Sequence, residues 1–113
     1  MSEMRESAFW VLTALAAGPR HGYGILQEAG ALSQGGAVVK ATTLYAVLDR
    51  LEQDGLIETA GEEVVDGRNR RYYRLTAAGT DRLDAETDKL EARVRAARTQ
   101  RNIGLRPAAG NHA

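Results

Sequence analysis

Four arginines, Arg68, Arg70, Arg71 and Arg74, stand within seven residues with no acid among them. Guanidinium groups at this density can hold the phosphates of a nucleic acid, or they can form a solvated basic face. Upstream, Thr42, Thr43, Tyr45, Ala46, Asp49 and Arg50 fall on the sides of a short helix that its leucines leave free. Hydroxyls at a helix start can cap it and hold phosphate as well, and an arginine can reach a phosphate or a base edge. An aspartate there is repelled by phosphates but can accept from a cytosine amino group, so Asp49 either specifies a base or tunes affinity. Each residue also has a plainer reading: Tyr45 packs against a strand with its hydroxyl wet, Arg50 pairs with Asp54 at i+4, and the threonines only cap. A second basic run, Arg93, Arg95, Arg98, Arg101 and Arg106, reads as a solvated helix end favoured by the macrodipole.

Other chemistry finds little footing. The chain has no cysteine, which excludes a disulfide framework, a thiolate metal site and a cysteine nucleophile. His21 is a lone histidine beside Gly22 with no carboxylate cluster near it in sequence, the setting of a turn residue that hydrogen-bonds backbone, so no metal and no other cofactor is expected. No paired-carboxylate or Ser/His/Asp pattern is present, and Gly22 and Gly24 lack the spacing and preceding strand of a dinucleotide site. An enzyme is not expected.

The elements that must position these residues follow from apolar spacing. A first helix from about Glu3 to Ala17 carries Phe9, Trp10, Val11, Leu12, Leu15 and Ala16 with almost no polar face, which implies burial on more than one side. Gly18 and Pro19 stop it. A second helix runs from about Tyr23 to Ser33 with Tyr23, Leu26 and either Ala29 or Ala31 inward, ended by Gly35 and Gly36. Val38 and Val39 suggest a short strand, and Thr42 is an N-cap for a third helix lasting to about Asp54, closed by Gly55. There Leu44, Leu48 and Leu51 at i, i+4 and i+7 form the apolar stripe, leaving Thr43, Ala46, Asp49 and Arg50 exposed. Leu56 to Thr59 and Arg71 to Leu75 read as strands around the hairpin signal Asp66-Gly67. Period-two alternation puts Arg70, Tyr72 and Arg74 on the outward face. Thr76 caps a last helix to about Asn102, whose roughly 26 residues would span ~39 Å, longer than a chain this short can cover alone. Its Leu83, Thr87, Leu90, Val94 and Ala97 recur at coiled-coil-like spacings. That seam is thin, and the over-apolar first helix with Phe9 and Trp10 is the natural second contributor to a dimer.

A length of 113 residues allows one core, and 43% apolar with 27% charged residues is a globular composition. The longest apolar stretch, Ala8 to Ala17, is too short to span a bilayer, and the acids before it do not suit a secretory leader, so no membrane partner and a cytoplasmic location are expected. Fifteen basic residues offset 15 acidic ones, but residues 1–60 carry four basic against seven acidic side chains, a balance of −3. The fold class expected is mainly α with a small β-hairpin: a winged helix-turn-helix over residues 1–75, a long C-terminal dimerisation helix over 76–104 and a flexible tail over 105–113.

One set of residues also carries a resemblance. His21, Gly22 and Tyr23, then Thr43, Leu44 and Tyr45 with Leu48, Arg50, Leu51, Glu52, Gly55, Leu56 and Ile57, then Gly67, Arg68, Arg71, Tyr72, Tyr73, Arg74, Leu75, Thr76 and Gly79, look like the PadR family of bacterial transcriptional regulators. The resemblance covers roughly residues 8–80 and favours that family over the MarR and ArsR types. It implies a dimeric regulator, usually a repressor, that binds a palindromic double-stranded DNA operator through the third helix and wing. Tyr45 and Arg50 match the recognition helix, and Arg68, Arg70 and Arg71 match the basic wing. Ala46 and Asp49 depart from the residues commoner at those positions. The resemblance further implies a hydrophobic pore between subunits, where some relatives bind aromatic compounds. No aromatic residue follows Thr76, so Phe9 and Trp10 would be the aromatic walls for a small hydrophobic effector, or else plain interface core. The rival to a DNA-binding repressor is a winged-helix protein-interaction module without useful DNA affinity.

Overall fold

A computed structural model describes residues 4–36 and 40–106; the expected strand at Val38 and Val39 and the tail after Arg106 lie outside these. The element order is α1 (Glu6–Leu15), β1 (Arg20–His21), α2 (Gly22–Leu32), α3 (Ala41–Gln53), β2 (Ile57–Val65), β3 (Arg68–Leu75) and α4 (Ala77–Leu105). The chain divides into two compact units between Leu83 and Asp84.

In the first unit α1 packs on α2, α3 and β3 through Val11, Leu12, Ala14 and Leu15, all buried, while Phe9 and Trp10 stay half-buried. The core joins these to Ile25 of α2, Leu44, Leu48 and Leu51 of α3, Ile57 of β2 and Tyr73 of β3. Each such aliphatic side chain contributes roughly 1.5–3 kcal/mol on burial. In α2 the buried face is Gly22, Ile25 and Ala29, one stripe at i, i+3 and i+7. Tyr23 lies off that stripe and is 64% exposed, which corrects the inward placement expected for it.

Helix α3 begins one residue before Thr42. Lys40 is the N-cap and makes no side-chain cap bond, so Thr42 sits exposed in the first turn and is not the capping residue. The other end closes as expected on Gly55, at φ +75. There Leu56 N–H donates to Leu51 O at 2.9 Å and Gly55 N–H to Glu52 O at 3.0 Å, the paired closure of a helix that ends in a left-handed residue.

The sheet has three strands in the order β1-β3-β2, one more than the expected hairpin. The third, Arg20–His21, pairs Arg20 with Tyr73 and His21 with Tyr72. Asp66 (φ 52) and Gly67 (φ 76) form the two-residue turn, both left-handed, as hairpins with right-handed twist require. The strands extend further toward this turn than their apolar residues suggest, because a bulge between Thr59 and Gly61 (φ +121) lets β2 continue past Ala60.

The first turn of α4 is fastened to the segment after α3. Thr76 Oγ1 accepts from Gly79 N–H at 3.0 Å and donates to Gly55 O at 2.6 Å, and Thr76 N–H donates to Leu56 O at 3.1 Å. A Cβ at Gly79 would stand 1.9 Å from Leu56 O, so only glycine permits this approach. Leu83 packs against the core of the first unit. In the second unit Leu90 is 39% and Val94 51% exposed. No helix of the described residues is long and apolar enough to cross a membrane.

Candidate nucleic-acid interface

Burying Leu44, Leu48 and Leu51 turns the opposite side of α3 outward, and Thr42, Thr43, Tyr45, Ala46, Asp49 and Arg50 are all exposed there. Arg50 Nε lies 3.5 Å from Asp54 Oδ2, the i+4 pair anticipated, with the arginine side chain 76% exposed. Such a pair is worth at most about 1 kcal/mol, too little to prevent Arg50 from exchanging its partner. Tyr45 is 58% exposed, and its hydroxyl lies against Gly22 at the start of α2, where a Cβ would approach it to 3.3 Å.

The hairpin supplies the second part. Arg68 and Arg71 are exposed and Arg70 is half-buried, its Nη1 3.5 Å from His21 Nε2. His21 acts as the turn residue expected of it: its Nδ1 accepts from Gly24 N–H at 3.3 Å as the N-cap of α2, and its ring meets Tyr72 edge-on at 5.3 Å. Arg71 is held above its usual pKa first by a hydrogen bond with the Tyr73 hydroxyl and then by the Glu62 carboxylate. The fourth arginine of the run is committed elsewhere, since Arg74 Nε donates to Glu58 Oε2 at 2.9 Å. The run is free of acids along the chain but not across the sheet.

Between the start of α2, α3 and β3 lies an open cleft of about 670 Å³. It brings together Tyr45, Asp49, Arg68, Arg70 and Arg71 of the residues singled out above, while Thr42, Thr43, Ala46 and Arg50 lie outside it. It also gathers His21, Tyr23 and Asn69, which the sequence did not mark as site residues. Tyr23 had a usable signal, an aromatic residue one position off the apolar stripe of its helix; Asn69 had none. An open cleft in which three guanidinium groups and phenol hydroxyls outweigh the one carboxylate of Asp49 suits an extended polyanion better than a small apolar ligand. Among the described residues no group of three His, Asp or Glu side chains stands together to hold a metal.

Phe9 and Trp10 meet edge-on at 5.2 Å, and Trp10 Nε1 donates to Glu6 Oε2 at 2.9 Å, outside the core. Leu83 is taken up by the core of the first unit, whereas Leu90, Val94 and Ala97 are exposed.

Comparison with known proteins bears on this geometry. The model of the transcriptional regulator PadR-like family matches residues 11–85. A transcriptional regulator of Mycobacterium tuberculosis is 45% identical over 75 residues, which cover 66% of this chain and 66% of that protein. The chain spans 55% to 66% of the length of the curated relatives it matches. A PadR family transcription regulator from Clostridium difficile superposes with a TM-score of 0.71 at 22% identity, covering 84% of this chain and 97% of that one. Bacillus subtilis PadR, solved in complex with operator DNA, superposes with a TM-score of 0.64 at 22% identity over 72% of this chain and 46% of that one. These two likenesses establish the winged-helix fold.

Proposed function

Because this chain belongs to the PadR-like family of transcriptional regulators, we propose that it is a cytoplasmic, sequence-specific DNA-binding repressor acting as a homodimer on a palindromic operator. A helix of ~10–12 Å diameter suits a major groove ~12 Å wide. In this reading α3 enters that groove with Thr42, Thr43, Ala46, Asp49 and Arg50 facing the bases and adjoining phosphates, Asp49 accepting from a cytosine amino group. Tyr45 and the wing arginines Arg68, Arg70 and Arg71 hold the backbone on either side, so that phosphate contacts position and base contacts specify. Residues 1–75 form the DNA-binding part and 76–104 the dimerising helix. Leu90, Val94 and Ala97 of α4, with Leu83 at the margin and Phe9 and Trp10 of α1, meet their counterparts and set the spacing of the two half-sites. Repression is steric, and a small hydrophobic effector that relieves it would enter between subunits beside Phe9 and Trp10.

The observation that carries this reading is the cleft in which groups of α3 and the wing converge, Tyr45 and Asp49 from one, Arg68, Arg70 and Arg71 from the other. Selection of bound duplexes from a random pool tests it. A recovered palindrome supports operator, symmetry and dimer together; recovery of nothing above background favours the protein-interaction module, for which the negative balance of residues 1–60 speaks. Substituting Arg68, Arg70 and Arg71 together by alanine should weaken binding to all sequences and flatten the dependence of log K on log salt by about one for each arginine that touches a phosphate. An unchanged slope removes the wing from the interface.

A further inference from the structure

Strand register puts an acid opposite each of three arginines of β3: Glu58 faces Arg74, Glu62 faces Arg71 and Glu63 faces Arg70. Directly opposed residues of an antiparallel pair share a face with Cβ atoms ~4.5–5.5 Å apart, within reach of one another's charges. The first pair is closed, with Arg74 Nε on Glu58 Oε2 at 2.9 Å. The other two carboxylates stand opposite their arginines in register and are bonded by neighbouring side chains. Asn69 Nδ2 donates to Glu62 Oε1, and the Tyr72 hydroxyl donates to Glu63 Oε1 at 3.4 Å. Both glutamates are exposed, so neither is needed to fill the core. Arg68 alone of the four stands opposite an apolar residue, Val65.

From this pairing we infer that Glu62 and Glu63 are specificity-determining residues that set the wing's affinity for phosphate low, acting as internal competitors for Arg70 and Arg71. The inference rests on the DNA-binding reading of the same interface. Between Ile57 and Leu75 the four arginines are balanced by Glu58, Glu62, Glu63 and Asp66, so the ribbon as a whole has no net charge. On DNA of any sequence, phosphates attract Arg70 and Arg71 but repel the two carboxylates beside them, and the two effects largely cancel. The complex then depends on what α3 gains from bases, which only the right sequence supplies. Nonspecific binding, which is almost wholly electrostatic, is thereby suppressed without giving up the guanidinium groups that fix register on the operator.

The test compares the full chain with E62Q/E63Q, which keeps size and hydrogen-bonding reach while removing two charges, on a random-sequence duplex and on a duplex recovered by selection. The double variant should bind the random duplex about tenfold more tightly at low salt, with a steeper salt dependence, while the ratio of selected to random affinity falls. Thermal melting monitors the fold, and E63Q alone, which leaves the Asn69 to Glu62 bond intact, should show part of the same gain if the double variant is unstable. Random-duplex affinity within twofold of the parent, in a parent that does bind DNA, overturns the competitor role and leaves the DNA reading standing. If parent and variants alike fail to bind either duplex at low salt, the DNA reading falls and this inference falls with it.

Discussion

Three leucines of α3 are all but sealed from water, whereas in α4 every residue from Asp84 to Leu105 is exposed except the half-buried Glu86. The two helices differ in what keeps them helical. In α3 the tertiary core does so, and its outward side is free to carry Thr42, Thr43, Asp49 and Arg50 without regard to folding. Beyond Leu83, α4 relies on its own backbone bonds and on good helix formers such as Ala85, Leu90, Ala92 and Ala96. Most helical stability in proteins comes from packing of an apolar face, yet Leu90 and Val94 remain uncovered. An exposed face is therefore informative only once the source of the helix's stability is known. On α3 it marks residues that folding does not need, and on α4 it marks residues whose burial the proposed second subunit would supply.

Substitutions can break this contrast, in order of expected effect. Leu48→Ala removes a fully buried side chain of α3 and should cost about 2–5 kcal/mol, read as a large fall in thermal melting temperature by circular dichroism. Gly79→Ala drives a methyl group toward Leu56 O where the first turn of α4 meets the segment after α3; overpacking of this kind costs about 1–3 kcal/mol, again read by melting. Smallest on the fold is Leu90→Ala with Val94→Ala, which should change the first unit's stability by no more than about 0.5 kcal/mol per site while weakening self-association measured by sedimentation. If that double variant melted as early as Leu48→Ala, α4 would be held by its own chain and the contrast would be void.

Which of these features could be read from the residues depends on how local their cause is. The stripe Leu44, Leu48, Leu51 and the pair Asp66-Gly67 are local patterns, and both led to the right element. The closure at Gly55 and the cap at Thr76 were legible for the same reason. Strand length was not, because Glu62, Glu63 and Gly61 look like loop residues unless the bulge beside Ala60 is known. Hence the acids opposite Arg70 and Arg71 were invisible: their pairing is a matter of register, and a shift by one residue would have turned every side chain to the other face. Strand β1 was missed because two residues have no periodicity. Tyr23 was misplaced because a tyrosine can serve either face, and the buried stripe runs through Gly22, Ile25 and Ala29, the last of these as expected, leaving Tyr23 beside it. Residues of α3 were legible as a site because amphipathicity identifies both faces of a helix at once. The cleft they share with the hairpin needs three elements brought together, which no single pattern encodes.

Asp66 and Gly67 alone connect β2 to β3. Two residues are the shortest connection that can close such a ribbon, so Val65 and Arg68 face each other across its last rung with no slack between them. A longer, looser tip would have to freeze its backbone rotations on meeting a ligand, at roughly 1–2 kcal/mol for each residue ordered. Here that immobilisation is already complete when the chain folds, and the guanidinium group at the end of the ribbon arrives on a rigid mount with only its own side-chain rotations left to settle.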